Sequence, residues 1–91
     1  MNEYQVKDLL LEKGVKPNHS GFEYLASAVV KYEPKKAICK ELYVEVAKEY
    51  GTTPTRVERA IRHAIDIADG LTGTNSEVIA GLNYQIKRKE A

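Results

Sequence analysis

The chain contains a single cysteine, Cys39. A lone thiol forms no internal disulfide and assembles no cysteine-based metal site. Its scarcity favours a reducing, cytoplasmic setting, and Cys39 itself is expected to be a small buried residue. Histidine is almost as rare: His19 and His63 are the only two. They fall in different elements, with no carboxylate or thiol set at ligand spacing, so no metal centre is expected. Neither a Ser-His-Asp nor a Cys-His arrangement can be built from this inventory, so no enzymatic activity and no cofactor are expected. No apolar run approaches the roughly 18–20 residues of a membrane-spanning helix. Met1-Asn2-Glu3-Tyr4 does not begin the basic-then-apolar pattern of a secretion signal. Gly70-Leu71-Thr72-Gly73-Thr74 lacks the Gly-Lys-Ser/Thr ending of a phosphate loop. A large charge of one sign is missing too, since the formal net charge is only +1. That argues against a non-specific nucleic-acid binder. It leaves a specific one open, because local distribution matters more than the total.

What the chain does have is helical spacing. Period-two alternation and hairpin turn pairs are absent, and 91 residues suffice for one modest core and one domain. The expected class is an all-α bundle of about five helices. The first runs from about Glu3 to Lys13, with Val6, Leu9 and Leu10 inward and Gly14 as its stop. A second runs from about Ser20 to Tyr32 on Phe22, Leu25, Ala26 and Val29, after a connection marked by Pro17. Pro34 breaks the chain again. A third helix is expected over roughly Lys35 to Tyr50, with Ile38, Leu42 and Val46 on one face. Gly51 sits where a left-handed glycine ends a helix. Thr53 followed by Pro54 is a strong helix start, and the fourth helix is expected to reach about Asp69, with Gly70 as its stop. Thr74-Asn75-Ser76-Glu77 fits a capping box for a last helix carrying Val78, Ile79, Leu82 and Ile86. Its basic end, Lys87-Arg88-Lys89, suits the negative pole of the helix dipole. The six tyrosines are scattered and read as core or rim rather than as a stacking platform.

The span from Tyr43 to Asp69 reads as a helix-turn-helix. Two helices joined by a short glycine-containing turn are suggestive, and residue types at fixed offsets add to this. Ala47 is small where the two helices must approach. Gly51 supplies the turn four residues later, and Val57 plugs the angle six residues after that. Val46, Tyr50 and Ile61 fill in around it. With Val57, Ala60, Ile61, Ala64, Ile65 and Ala68 turned inward, the fourth helix presents Thr55, Arg56, Glu58, Arg59, Arg62 and His63. These lie in the first turns, which a recognition helix sets against base edges. Arginine offers a bidentate fork to guanine, and glutamate accepts from cytosine. The competing reading is a solvated face on which Glu58 and Arg62 form an i,i+4 pair worth about 0.3–0.5 kcal/mol.

Thr52 to Ile65, with its Arg56-Val57-Glu58-Arg59-Ala60-Ile61-Arg62-His63 core, resembles the recognition helix of a known family. That family is the C-terminal DNA-binding effector domain of the sporulation response regulator, stage zero sporulation protein A. Gly14-Val15-Lys16-Pro17, Gly21-Phe22-Glu23-Tyr24-Leu25, Leu42-Tyr43, Val46 to Tyr50 and Thr74 to Ala80 extend the resemblance over most of the chain. It implies a helical effector domain that binds double-stranded DNA, often as tandem copies. It also implies base contacts from Glu58, Arg59 and Arg62, with Arg56 and His63 at phosphates or the groove edge. Two departures stand out. Family members usually carry a preceding phosphoacceptor receiver domain, whereas Met1 here leads straight into the effector-like region. This copy is therefore expected to escape that switch. The family also has a longer segment, with an extra helix, where this chain has only Gly70 to Gly73.

The leading expectation is a cytoplasmic, sequence-specific transcriptional regulator that binds DNA as a homodimer or as tandem copies. The rival from another class is a protein-interaction module that pairs with a full-length response regulator. No membrane partner is expected.

Overall fold

Asn2 begins the first helix through a reciprocal cap. Its side chain accepts from the Gln5 N–H at 2.9 Å, and the Gln5 side chain accepts from the Asn2 N–H at 2.9 Å. The first helix, α1 (Glu3–Glu12), turns inward with Val6, Leu9 and Leu10. The computed structural model describes residues 1–90, with Cys39 described by its backbone. The expected burial of the Cys39 side chain lies outside the described residues. Beyond α1, the described helices are α2 (Ser20–Lys31), α3 (Tyr43–Tyr50), α4 (Pro54–Ile67) and α5 (Asn75–Glu90), and among the described residues there is no strand. The all-α expectation holds, and among the described residues no helix is long and apolar enough to cross a membrane.

The second helix is the centre of the packing, in contact with each of the other four. Its Phe22, Leu25, Ala26 and Val29 are buried, as the spacing predicts, and so are Ser27 and Ala28. Leu10, Leu42, Val46, Val57, Ile61 and Ile79 complete a single core drawn from all five helices. Gly21 lets α2 approach α4 closely. A Cβ built on it would lie 2.3 Å from the Ala60 carbonyl oxygen and 2.8 Å from the Ala64 Cβ.

Two polar ties hold α2 in register. The Ser27 hydroxyl and the Lys31 ammonium both donate to the Glu49 carboxylate of α3, and these hydrogen bonds, Lys31 first, hold the Glu49 carboxyl below its usual pKa. The second tie is buried. Asn83 of α5 donates from Nδ2 to the Val29 carbonyl at 2.8 Å. Val29 lies among the last four residues of α2, whose carbonyls have no partner within the helix. Asn83→Ala strands that carbonyl in the core and is expected to cost about 1–3 kcal/mol. A lower urea midpoint with an unchanged slope would record it, and an unchanged midpoint would count against the tie.

The third and fourth helices depart from the sequence reading at one boundary each. Helix was expected from Lys35. Instead Pro34 opens a tight turn in which the Lys36 N–H donates to the Glu33 carbonyl at 2.9 Å, a position proline favours. Ala37 is extended, and a π-helical turn over Ile38–Leu42 then leads into α3. Lys35, Lys36 and Ala37 have good helix propensity, and the proline turn overrides it. At the other boundary, α4 stops at Ile67 because Ala68 is already extended. Gly70 has a different role from the stop assigned to it. It sits against the Lys13 backbone and donates its N–H to the Lys13 carbonyl at 2.8 Å. A Cβ there would fall 2.8 Å from the same oxygen. The α1–α2 and α4–α5 connections thus touch backbone to backbone.

Candidate nucleic-acid interface

The turn between α3 and α4 is built from local rules. Gly51 takes the left-handed conformation, with φ 63° and ψ 39°, which costs glycine nothing. The N–H groups of Gly51 and Thr52 both reach the Ala47 carbonyl, the second at 2.9 Å, so they satisfy an orphan acceptor at the end of α3. Thr53 then caps α4, its hydroxyl accepting from the Arg56 N–H at 3.2 Å. Pro54 occupies the first helical position. Ala47 and Val57 are buried where α3 meets α4.

With about 100° per residue, the predicted side chains map onto one face of α4. Thr55, Arg59 and Arg62 occupy its middle. Arg56 and His63 form one edge, and Glu58 forms the other. Val57, Ile61, Ala64 and Ile65 point the opposite way and are buried. Ala60, also on the inward side, is half-buried at the seam beside Gly21. Thr55, Arg56, Arg59, Arg62 and His63 are exposed, and Glu58 is half-buried. The i,i+4 pair is also present: the Arg62 guanidinium donates to the Glu58 carboxylate. Arg62 is held further towards its charged form, first by that hydrogen bond and then by the charge of Glu58.

Each edge of this face has a neighbour from another helix. At the Glu58 edge stands the start of α5. Thr74 and Glu77 form the predicted capping box, the Thr74 hydroxyl accepting from the Glu77 N–H at 3.2 Å and the Glu77 carboxylate from the Thr74 N–H at 2.9 Å. Those bonds, the backbone one first, lower the Glu77 pKa. Asn75 then reaches outward. Its Nδ2 donates to the Tyr43 hydroxyl at 3.1 Å and to the Glu58 carbonyl at 3.1 Å, joining α5, α3 and α4 at one atom. A cleft of about 560 Å³ lies here, lined by Tyr43, Glu58, Arg62, Asn75 and Glu77. At the other edge His63 meets His19, the residue that precedes α2, with ring centroids 5.8 Å apart.

The sequence reading placed all six side chains on the outer face of α4, and the structure brings them together there. It missed the two flanking residues. Asn75 was read only as part of a capping box, and nothing in its spacing signals a bond to Glu58. His19 and His63 lie 44 positions apart, and nothing in a one-dimensional pattern pairs them.

What the fold and this face define is a helical domain with an exposed, arginine-rich face on α4. The chain belongs to the family described as Sporulation initiation factor Spo0A C terminal, which matches residues 6–90. That family is a DNA-binding effector domain, in agreement with the resemblance carried by the Arg56–His63 run.

Proposed function

We propose that this chain is a sequence-specific transcriptional regulator. The α3–turn–α4 unit acts as a helix-turn-helix, α4 enters the major groove, and Glu58, Arg59 and Arg62 read base edges. Thr55, Arg56 and His63 hold phosphates or the groove rim. The observation that carries this reading is the single exposed face of α4, whose first turns group three guanidinium groups, the Glu58 carboxylate and an imidazole directly after a capped glycine turn, with Asp66 one turn beyond. Arginine in such a position discriminates guanine by about 1–3 kcal/mol per bidentate contact. Glu58 is half-buried and hydrogen-bonded to Arg62 in the free protein, a bond that Arg62 gives up when it turns to a base. A double-stranded DNA partner supports a cytoplasmic setting. A single module of this size buries limited area, so two copies act on one site, tandem or palindromic.

The test is a mobility shift on a duplex carrying the family's G/C-containing site and on a scrambled duplex, over a salt titration. Affinity for both is expected to fall as salt rises, with the specific duplex bound more tightly throughout. Equal affinity for the two duplexes at every salt concentration rejects sequence-specific reading. Retention of an intact response regulator without any shift of DNA supports the protein-interaction role in its place.

A further inference from the structure

We propose that His19 and His63 form a two-histidine site for a divalent zinc ion, clamping the start of α2 to the outer edge of α4. The two imidazoles come from His19, just before α2, and His63 of α4, and meet edge to face with centroids 5.8 Å apart and ring planes at 64°. Zinc binds imidazole nitrogen at about 2.0–2.1 Å, which puts the centroids of two rings on one tetrahedral ion roughly 5 Å apart. The observed separation is within a small side-chain adjustment of that value. His63 is exposed and His19 half-buried, so both rings have room to turn. Among the described residues neither imidazole is engaged in a hydrogen bond or ion pair, which leaves ring nitrogens for a ligand.

The chemistry suits zinc. Neutral imidazole is a borderline donor that favours Zn²⁺ and its late transition-metal neighbours over Mg²⁺ or Ca²⁺. Among the described residues no group of three or more His, Cys, Asp or Glu side chains surrounds this point. Water therefore completes the coordination, and binding is weaker than at a closed structural site. The sequence sets the two histidines aside because they fall in different elements, with no carboxylate or thiol set at ligand spacing. The fold answers the first point by bringing the rings side by side, while the second still holds among the described residues.

The experiment is calorimetric titration of the untagged chain with zinc chloride, paired with thermal melts with and without zinc. One zinc per chain is expected, with a rise in melting temperature at saturation. His19→Ala and His63→Ala are each expected to weaken binding at least tenfold and to remove the thermal shift. Cys39→Ser retains both. His19→Gln and His63→Gln provide the same test if an alanine variant does not fold. Absence of zinc binding by the parent chain overturns the proposal, as does binding that survives both histidine changes or disappears with Cys39→Ser.

Discussion

Gly21→Ala is expected to destabilise the chain by about 3 kcal/mol, at the upper end of the usual overpacking cost. Simple helix propensity gives the opposite sign, since alanine is favoured over glycine by up to about 1 kcal/mol in a helix, an upper bound for Gly21 in the first turn of α2. Packing decides the outcome. The added Cβ meets the Ala60 carbonyl oxygen at 2.3 Å and the Ala64 Cβ at 2.8 Å. That oxygen is backbone within α4, so it cannot rotate aside as a flexible side chain would. Relief requires α2 and α4 to separate, which opens gaps around Phe22, Leu25 and Ile61 in the shared core. For a domain of this length each kcal/mol corresponds to about 4–8 °C, so the melting temperature is expected to fall by roughly 10–25 °C. Thermal unfolding followed by circular dichroism measures this. An unchanged or higher melting temperature would contradict the close approach of the two helices.

The second large effect concerns DNA. Arg59→Ala and Arg62→Ala are each expected to cost about 1–3 kcal/mol on the specific duplex and to relax discrimination at the base each one reads. The two are not equivalent. Arg62 already donates to Glu58 in the free protein, so part of its gain on DNA is offset by the interaction it surrenders. Arg59 makes no ion pair among the described residues. Arg59→Ala is therefore expected nearer 3 kcal/mol, and Arg62→Ala nearer 1 kcal/mol. Arg56→Ala, at the edge of the face, should weaken all sequences alike and reduce the salt slope by about one. Competition titrations with single-base variants of the site distinguish these patterns. Unaltered affinity and selectivity in Arg59→Ala and Arg62→Ala together would remove base reading from α4.

Much of this fold could be read from residue order because its determinants are local. The Gly51 turn, the Thr53–Pro54 start and the Thr74–Glu77 box depend on residues within a few positions of one another, and each appears as expected. The buried stripes of α1, α2 and α5 follow from helical periodicity. The outer face of α4 follows from the same periodicity by subtraction. The departures arise where distant segments decide the matter. The chain around Pro34 spends its residues on a turn and a π-helical run instead of a longer helix. Gly21 and Gly70 look like ordinary small residues until the backbones opposite them are known. Asn83, a polar residue on the inner side of α5, gains its meaning only from the Val29 carbonyl it meets. The neighbours of the candidate site, Asn75 and His19, are contacts of the same long-range kind.

The contact between the Lys13 and Gly70 backbones has a consequence for how the chain tolerates changes in length. On one side, Gly70 is anchored to the α1–α2 connection. On the other, Thr74 is anchored by its reciprocal bonds with Glu77. Between them Thr72 and Gly73 are exposed, and extra residues in an exposed loop cost little closure entropy. Extra chain spliced there leaves both anchors in place, along with the bond from Asn75 to the Glu58 carbonyl. The resemblance assigns its longer segment to this same interval, so the insertion point is one where the bundle is already clamped on both sides.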